Sequence, residues 1–155
     1  MAEIVTLREI TEETVRPICA LSDTLSPAHK KMVADNAISI AEAHFSPYAW
    51  FRAIYADETP VGFIMIYIGP EDEEKDKLNT VHFLWRLMVA APYQGKGYGR
   101  RAIELLIDKV KADGATELLV SCGEGEGSPE EFYRTLGFER TGEVLDDEVV
   151  MKRPL

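Results

Sequence analysis

The chain has 155 residues, with 17 Lys and Arg against 27 Asp and Glu, a formal net charge of −10, and 46% apolar against 28% charged residues. These figures predict one domain over residues 1–155 with a substantial hydrophobic core, and they exclude disorder as the main state. No apolar run nears the ~18–20 residues of a membrane span, and Met1-Ala2-Glu3-Ile4 lacks the basic-then-apolar start of a secretory signal.

Two cysteines, Cys19 and Cys122, make no disulfide framework, and no Cys/His cluster has zinc spacing. The expectation is a reduced, cytoplasmic protein without a metal. A pI near 4.8 disfavours a nucleic-acid partner, because phosphate binding needs clustered positive charge. It leaves room for a cationic substrate.

In chain order, Ile4–Ile10 alternates apolar and polar residues, β-branched ones among them, and predicts a half-buried strand. Thr11–Leu21 predicts a short helix in which Pro17 is tolerable only in the first turn. Ser26-Pro27 pairs a capping hydroxyl with a proline at the first helical position, and predicts a helix to about His44. Met32, Ile40 and Ala43 are among its inward candidates. Ala49–Tyr55 and Val61–Ile68 flank Asp57-Glu58-Thr59-Pro60 and read as an antiparallel hairpin. Pro70–Lys77 is charged and reads as a solvated loop.

Thr80–Ala90 is a long apolar run of strand type. From Gly97 to Asp113, Ile103, Leu106, Ile107 and Val110 fall at i, i+3, i+4 and i+7, the pattern of an amphipathic helix. Its other face carries Arg101, Glu104, Asp108 and Lys111, and Gly114 fits a left-handed stop. Leu118–Cys122 predicts a buried strand, Pro129–Leu136 a helix closed by Gly137, and Phe138–Val144 and Glu148–Lys152 two last strands. Strand–helix–strand over residues 80–122 implies a parallel crossover. The fold class is α/β, with antiparallel pairing early and late.

The informative stretch is Gln94-Gly95-Lys96-Gly97-Tyr98-Gly99, between a buried strand and the amphipathic helix. Three glycines in five residues make a poor helix start unless the backbone must approach something closely. Free N–H groups and the positive end of the dipole make a helix N-terminus an anion site. Lys96, Arg100 and Arg101 add positive charge to an acidic chain. Together they predict a bound diphosphate or similar anion; the alternative is a tight turn with incidental basic residues. The P-loop is excluded, since Gly97 rather than Ser or Thr follows Lys96. The dinucleotide fingerprint is excluded by glycine spacings of two and two.

Gln94-x-x-Gly97-x-Gly99 after the strand Leu84–Val89 resembles the acyl-CoA pyrophosphate loop of the GNAT superfamily of N-acyltransferases. Phe132-Tyr133-Arg134-Thr135-Leu136-Gly137-Phe138 resembles the later family motif, in which a helix ends in Tyr-x-x-Leu-Gly-Phe. The two blocks stand one helix and one strand apart, as in the family, and the resemblance covers essentially the whole chain. More narrowly, Leu84–Val89 with Tyr93–Gly99, and Thr141-Gly142-Glu143 before Glu148, are similar to bacterial spermine/spermidine acetyltransferases.

The resemblance implies a mixed central sheet with antiparallel N-terminal strands, a splayed parallel pair near the cosubstrate, and flanking helices. It implies acetyl-CoA as cosubstrate and acetyl transfer to a small primary amine, polyamines first, by direct attack in a ternary complex. Main-chain groups of Leu87, Met88 and Val89 would meet the pantetheine arm, and a backbone N–H there would face the thioester oxygen. The pyrophosphate would lie on the N–H groups from Gln94 through Gly95, Lys96, Gly97, Tyr98 and Gly99 to Arg100. Tyr133 matches the family's general acid. A late strand at a sheet edge leaves room for a homodimer.

A Lys-like amine of pKa ~10.4 costs roughly 4.6 kcal/mol to deprotonate at pH 7, so a base or a water chain to one is required. The carboxylate that family members carry on the strand before the loop is absent here: the region reads His82-Phe83-Leu84-Trp85. His82, Glu42, Glu143 and Glu148 are the candidates. The family's Asn before the Tyr helix is also absent from Gly123–Pro129, leaving Ser128 or backbone near Glu126 in its place. Cys122 reads as a buried, inert thiol. Alternatives to the leading reading are acetylation of a protein amine or an aminoglycoside, a non-catalytic acyl-CoA-binding protein, and a structural domain whose loop binds anions adventitiously.

Overall fold

A computed structural model describes residues 2–72 and 79–155. Seven strands form one sheet in the order β1-β2-β3-β4-β5-β7-β6. They are β1 (Val5–Arg8), β2 (Ala49–Ala56), β3 (Thr59–Pro70), β4 (Thr80–Val89), β5 (Glu117–Cys122), β6 (Glu139–Leu145) and β7 (Glu148–Pro154). The β4–β5 pair is parallel and every other pair antiparallel. This is the mixed α/β sheet expected. The helices are α1 (Val15–Ala20), α2 (Pro27–Lys30), α3 (Asn36–His44), α4 (Tyr98–Ala112) and α5 (Glu130–Thr135).

Side chains alternate across a strand, so the middle strands supply two cores. Ala53, Tyr55, Phe63, Met65 and Met88 pack under Ile18 of α1 and Ala43 of α3. Ile54, Ile64, Ile66 and Leu84 pack on the other face against Ala102, Ile103, Leu106 and Val110 of α4. Burial on both faces explains why β2, β3 and β4 read as near-continuous apolar runs.

The helix expected from Ser26 to His44 is two helices. Ser26 Oγ caps α2 by accepting from the His29 N–H at 3.2 Å, and α2 ends at Lys30. A second start follows at Asn36, whose backbone N–H donates to Ser22 Oγ at 2.9 Å and whose side-chain amide donates to the Ile18 carbonyl at 2.8 Å. Tying Asn36 to α1 and the 3-10 turn after it sets a new helix direction that a straight continuation of α2 would not reach. Ala43 is buried and Ile40 half-buried as expected, but Met32 lies in the connection, beside Gly123.

The first strand is shorter than Ile4–Ile10, because only Val5–Arg8 find partners on β2. Pro17 stands third in α1, inside its first turn. The loop expected over Pro70–Lys77 falls, from residue 73 on, outside the described residues. No helix among the described residues is long and apolar enough to cross a membrane.

Candidate active site

The site begins with a defect in strand pairing. β4 pairs with β5 only at Phe83↔Leu119 and Leu84↔Val120. At the same level, β3 pairs Ile66 with Leu84 and Met65 with Arg86, leaving Trp85 as an extra residue. Such a bulge bends its strand, and here the bend coincides with the point where β4 leaves β5. From Arg86 on, β4 stays with β3 but has no partner on its other side among the described residues.

Main-chain direction along this free edge follows from alternation. The Ala90 N–H donates to the Val61 carbonyl, on the β3 side, at 2.8 Å. A methyl group at Gly62 would run into the Met88 carbonyl oxygen, which therefore also faces β3. Leu87 and Val89 consequently turn their N–H and C=O groups into the gap. Met88 does not; its side chain is buried in the α1/α3 core.

At the end of β4 the chain passes through a short 3-10 turn, Ala91–Tyr93, into the glycine turn. Gln94 folds its side-chain amide back to the Val89 carbonyl at 2.8 Å, bracing the turn on the strand. Gly95 and Gly97 have φ of +79° and +85°, and a Cβ on either would meet nothing within 4 Å. Glycine is demanded there by the backbone angle, while the space beside it stays open. At Gly99 the reason is packing: a Cβ would come within 3.3 Å of the Phe132 ring.

Gly97 is the N-cap of α4, and the first helical bond is from the Arg101 N–H to the Gly97 carbonyl at 3.1 Å. The six N–H groups from Gly95 to Arg100 therefore have no acceptor among the described residues. A row of free donors at the positive end of a 15-residue helix fits an anionic diphosphate. The side chains divide. Arg100 and Tyr98 both border the cavity, Tyr98 with its ring buried in the core beneath the turn. Arg101 stacks over the Tyr98 ring at 5.3 Å and donates to the Glu3 carbonyl, away from the cavity. Lys96 is exposed and outside the cavity wall.

The cavity that these elements border has a volume of about 890 Å³. The free edge of β4 and the α4 turn form one side, the ends of β5 and α5 another, and residues 29–34 a third. Tyr133 reaches it from α5. The ring is wedged between Phe132 and Phe138 at 5.5 Å from each. Its hydroxyl has no hydrogen-bond partner among the described residues. Burial first, then the neighbouring Cys122 and Glu148, hold that hydroxyl well above the ordinary tyrosine range, so the group remains a proton donor at any physiological pH. Cys122 also borders the cavity; burial pushes its thiol up, away from the reactive thiolate.

The four base candidates separate clearly. His82 sits near the start of β4 and lines a different cavity, with Asp113 and Thr116. At ~3.3 Å per residue it lies roughly 23 Å along the strand from Val89. Glu42 is engaged with Arg86 at 3.4 Å. Glu143 is exposed on β6. Glu148 borders the main cavity and accepts a hydrogen bond from Ser121 Oγ at 3.0 Å. Ser128, considered in place of the missing Asn, also borders the cavity, with its Oγ accepting from the Glu130 N–H at 3.2 Å. Sequence reasoning misses Ser121 and the wall of residues 29–34. A continuous helix would carry that wall away from the cleft; the one sequence signal against it is Asp35-Asn36, an N-cap pair. Among the described residues no group of three His, Cys, Asp or Glu side chains is placed to hold a metal.

The model of the acetyltransferase (GNAT) family matches residues 15–138. An L-2,4-diaminobutyric acid acetyltransferase from Streptomyces avermitilis is 31% identical over 101 residues, 64% of this chain and 52% of that protein. The chain thus spans about half the length of the curated relative it matches. An acetyltransferase from Thermus thermophilus superposes with a TM-score of 0.74 at 19% identity, over 100% of both chains. The PaiA N-acetyltransferase of Thermoplasma acidophilum, solved in complex with coenzyme A, gives 0.70 at 15% identity, covering 98% of this chain and 99% of that one.

Proposed function

The chain belongs to the acetyltransferase (GNAT) family, and from that premise we propose that it moves the acetyl group of acetyl-CoA onto the primary amine of a small acceptor, a polyamine first. The observation that carries this reading is the unbonded row of N–H groups from Gly95 to Arg100, opening onto a cavity beside a strand edge that is also unpaired. A diphosphate satisfies the first and an extended pantetheine arm the second. Residues 1–155 act in this proposal as a single catalytic domain in the cytoplasm.

Acetyl-CoA, when bound, supplies an acyl group activated as a thioester. The chain supplies the rest. The N–H groups of Gly95–Arg100 hold the diphosphate, with Gln94 bracing the turn and Arg100 adding charge. Leu87 and Val89 offer main-chain groups to the arm, and one N–H on that edge stabilises negative charge as it develops on the carbonyl oxygen, the arrangement of an oxyanion hole. Tyr133 gives its proton to the departing sulfur. Attack by the acceptor is direct, in a ternary complex, and the raised, buried thiol of Cys122 takes no part.

A second reading of the acceptor has its own support. Lys30, Lys31 and Arg86 border the cavity, and the Streptomyces relative is named for an amine that also carries a carboxylate. Release of free thiol from acetyl-CoA, followed with spermidine, putrescine and L-2,4-diaminobutyrate and with product masses, decides between them. The proposal expects an acetylated polyamine. Tight acetyl-CoA binding without turnover on any amine would make the chain an acyl-CoA-binding protein instead, and no binding at all would reduce it to a structural domain.

A further inference from the structure

We propose that Glu148 is the catalytic carboxylate that takes the proton from the acceptor amine. The inference rests on the acetyl-transfer reading above and supplies the base that reading lacks. Among the described residues Glu148 is the only carboxylate bordering the cavity; the other charged side chains there are cations, Lys30, Lys31, Arg86 and Arg100. Arg86 is already engaged by Glu42. Glu148 has no cationic partner among the described residues.

Its position is fixed by the fold. Glu148 opens β7, which lies antiparallel to β5, and Ser121 near the end of β5 donates to one of its oxygens at 3.0 Å. The second oxygen has no partner among the described residues. β5 is also the strand from which β4 diverges, and the carboxylate borders the same cavity as the free edge of β4. The titratable groups that meet the same space are Tyr133 from α5, Cys122 from β5, Tyr93 from the turn after β4, Tyr98 at the start of α4, and His29 with the two lysines across the cleft. The charge on Glu148 contributes to raising Tyr133 and Cys122. Burial does most of this at Tyr133, which stays protonated for its own step.

The step balances. The ammonium form of the acceptor first gives one proton to the free oxygen of Glu148, and the neutral nitrogen then forms the N–C bond and releases its second proton to solvent. The C–S bond breaks, and the sulfur takes a proton from Tyr133. Solvent then returns a proton to Tyr133 and removes one from Glu148.

The test is Glu148→Gln, which keeps the shape and the oxygen that Ser121 donates to, read with two acceptors. With spermidine at pH 7, kcat/KM should fall about 10²–10⁴-fold. It should then climb tenfold per pH unit toward the amine's own pKa, ~10.4 for a Lys-like group. With trifluoroethylamine, already neutral at pH 7, the loss should be under about tenfold, since no proton need be removed beforehand. Ser121→Ala should show a smaller loss confined to the basic amine, and acetyl-CoA affinity by calorimetry should be unchanged in both variants. Glu143→Gln should behave as wild type. Equal losses on both amines, or a change in KM alone, would overturn the assignment. Wild-type protein that turns over no amine would bring down the acetyl-transfer reading itself, a different and recognisable failure.

Discussion

Replacing Gly97 by Glu separates the backbone requirement of the α4 turn from its role as an anion site. Gly97 has φ +85° and open space on its Cβ side, so a new side chain meets no steric clash and the folding penalty is torsional, about 1–2 kcal/mol. A carboxylate in the first turn recovers about 0.3–1 kcal/mol from the helix dipole. Gly114, just past the other end of α4, has φ +93° and equally open space. There Glu pays the same torsional penalty and adds a dipole penalty of like size, so Gly114→Glu should be the less stable variant by about 0.6–2 kcal/mol. In coenzyme binding the order reverses. A like charge about 4 Å from a phosphate costs about 4 kcal/mol at an effective dielectric of 20, close to a thousandfold in affinity. Gly114 lies about 25 Å away along the helix, well beyond the ~8 Å screening length. Thermal melts and calorimetry with acetyl-CoA measure the two quantities. Wild-type affinity in Gly97→Glu, or equal loss in both variants, would refute the placement of the diphosphate at this turn.

Tyr133→Phe should lower kcat about tenfold with acetyl-CoA affinity nearly unchanged, because a thiolate of pKa ~8.5 already leaves fairly well; steady-state kinetics with calorimetry check it. Because the Tyr133 hydroxyl is held well above its ordinary range, the wild-type profile should show no loss of this proton donor between pH 7 and 9. The Glu130 carboxyl, between Arg140 and Arg134, is lowered to about 2. A depressed carboxyl contributes stability above its unfolded value, near 4.5, that is lost as the pH falls through about 2. Glu130→Gln should therefore flatten the decline of Tm with acidification over that window. Ser22→Ala leaves the buried Asn36 N–H without its acceptor and should cost about 1–3 kcal/mol, seen as a lower urea midpoint with an unchanged slope.

Much of this architecture is legible in the sequence because periodicity and burial report the same thing. Ile103, Leu106, Ile107 and Val110 point inward by spacing alone and are all buried. The apolar hairpin, the Gly114 stop and the single parallel crossover follow from equally local signals. The misses come from contacts distant in sequence. Nothing within residues 26–44 announces that Asn36 will be held by Ser22 and Ile18, so one helix is read where two exist. Tyr98 belongs to the glycine motif by position, yet its ring belongs to the core. His82 draws notice because it occupies a motif position, but that position is at the wrong end of a ten-residue strand. The divergence of β4 from β5 depends on pairing across three strands, which no single segment encodes.

Apart from Glu148 on β7, the cavity draws its walls from two sources. One, the run from β4 through α5, is continuous in the chain and includes the amide row and Tyr133. The other, the short connection between α2 and α3, comes from far upstream and touches the cleft from across. On the proposed reading, a change of residue type in that connection alters what the cleft admits while leaving the glycine turn undisturbed. On that reading acceptor choice and nucleotide grip sit on separate stretches of chain, and a substitution in one leaves the other intact.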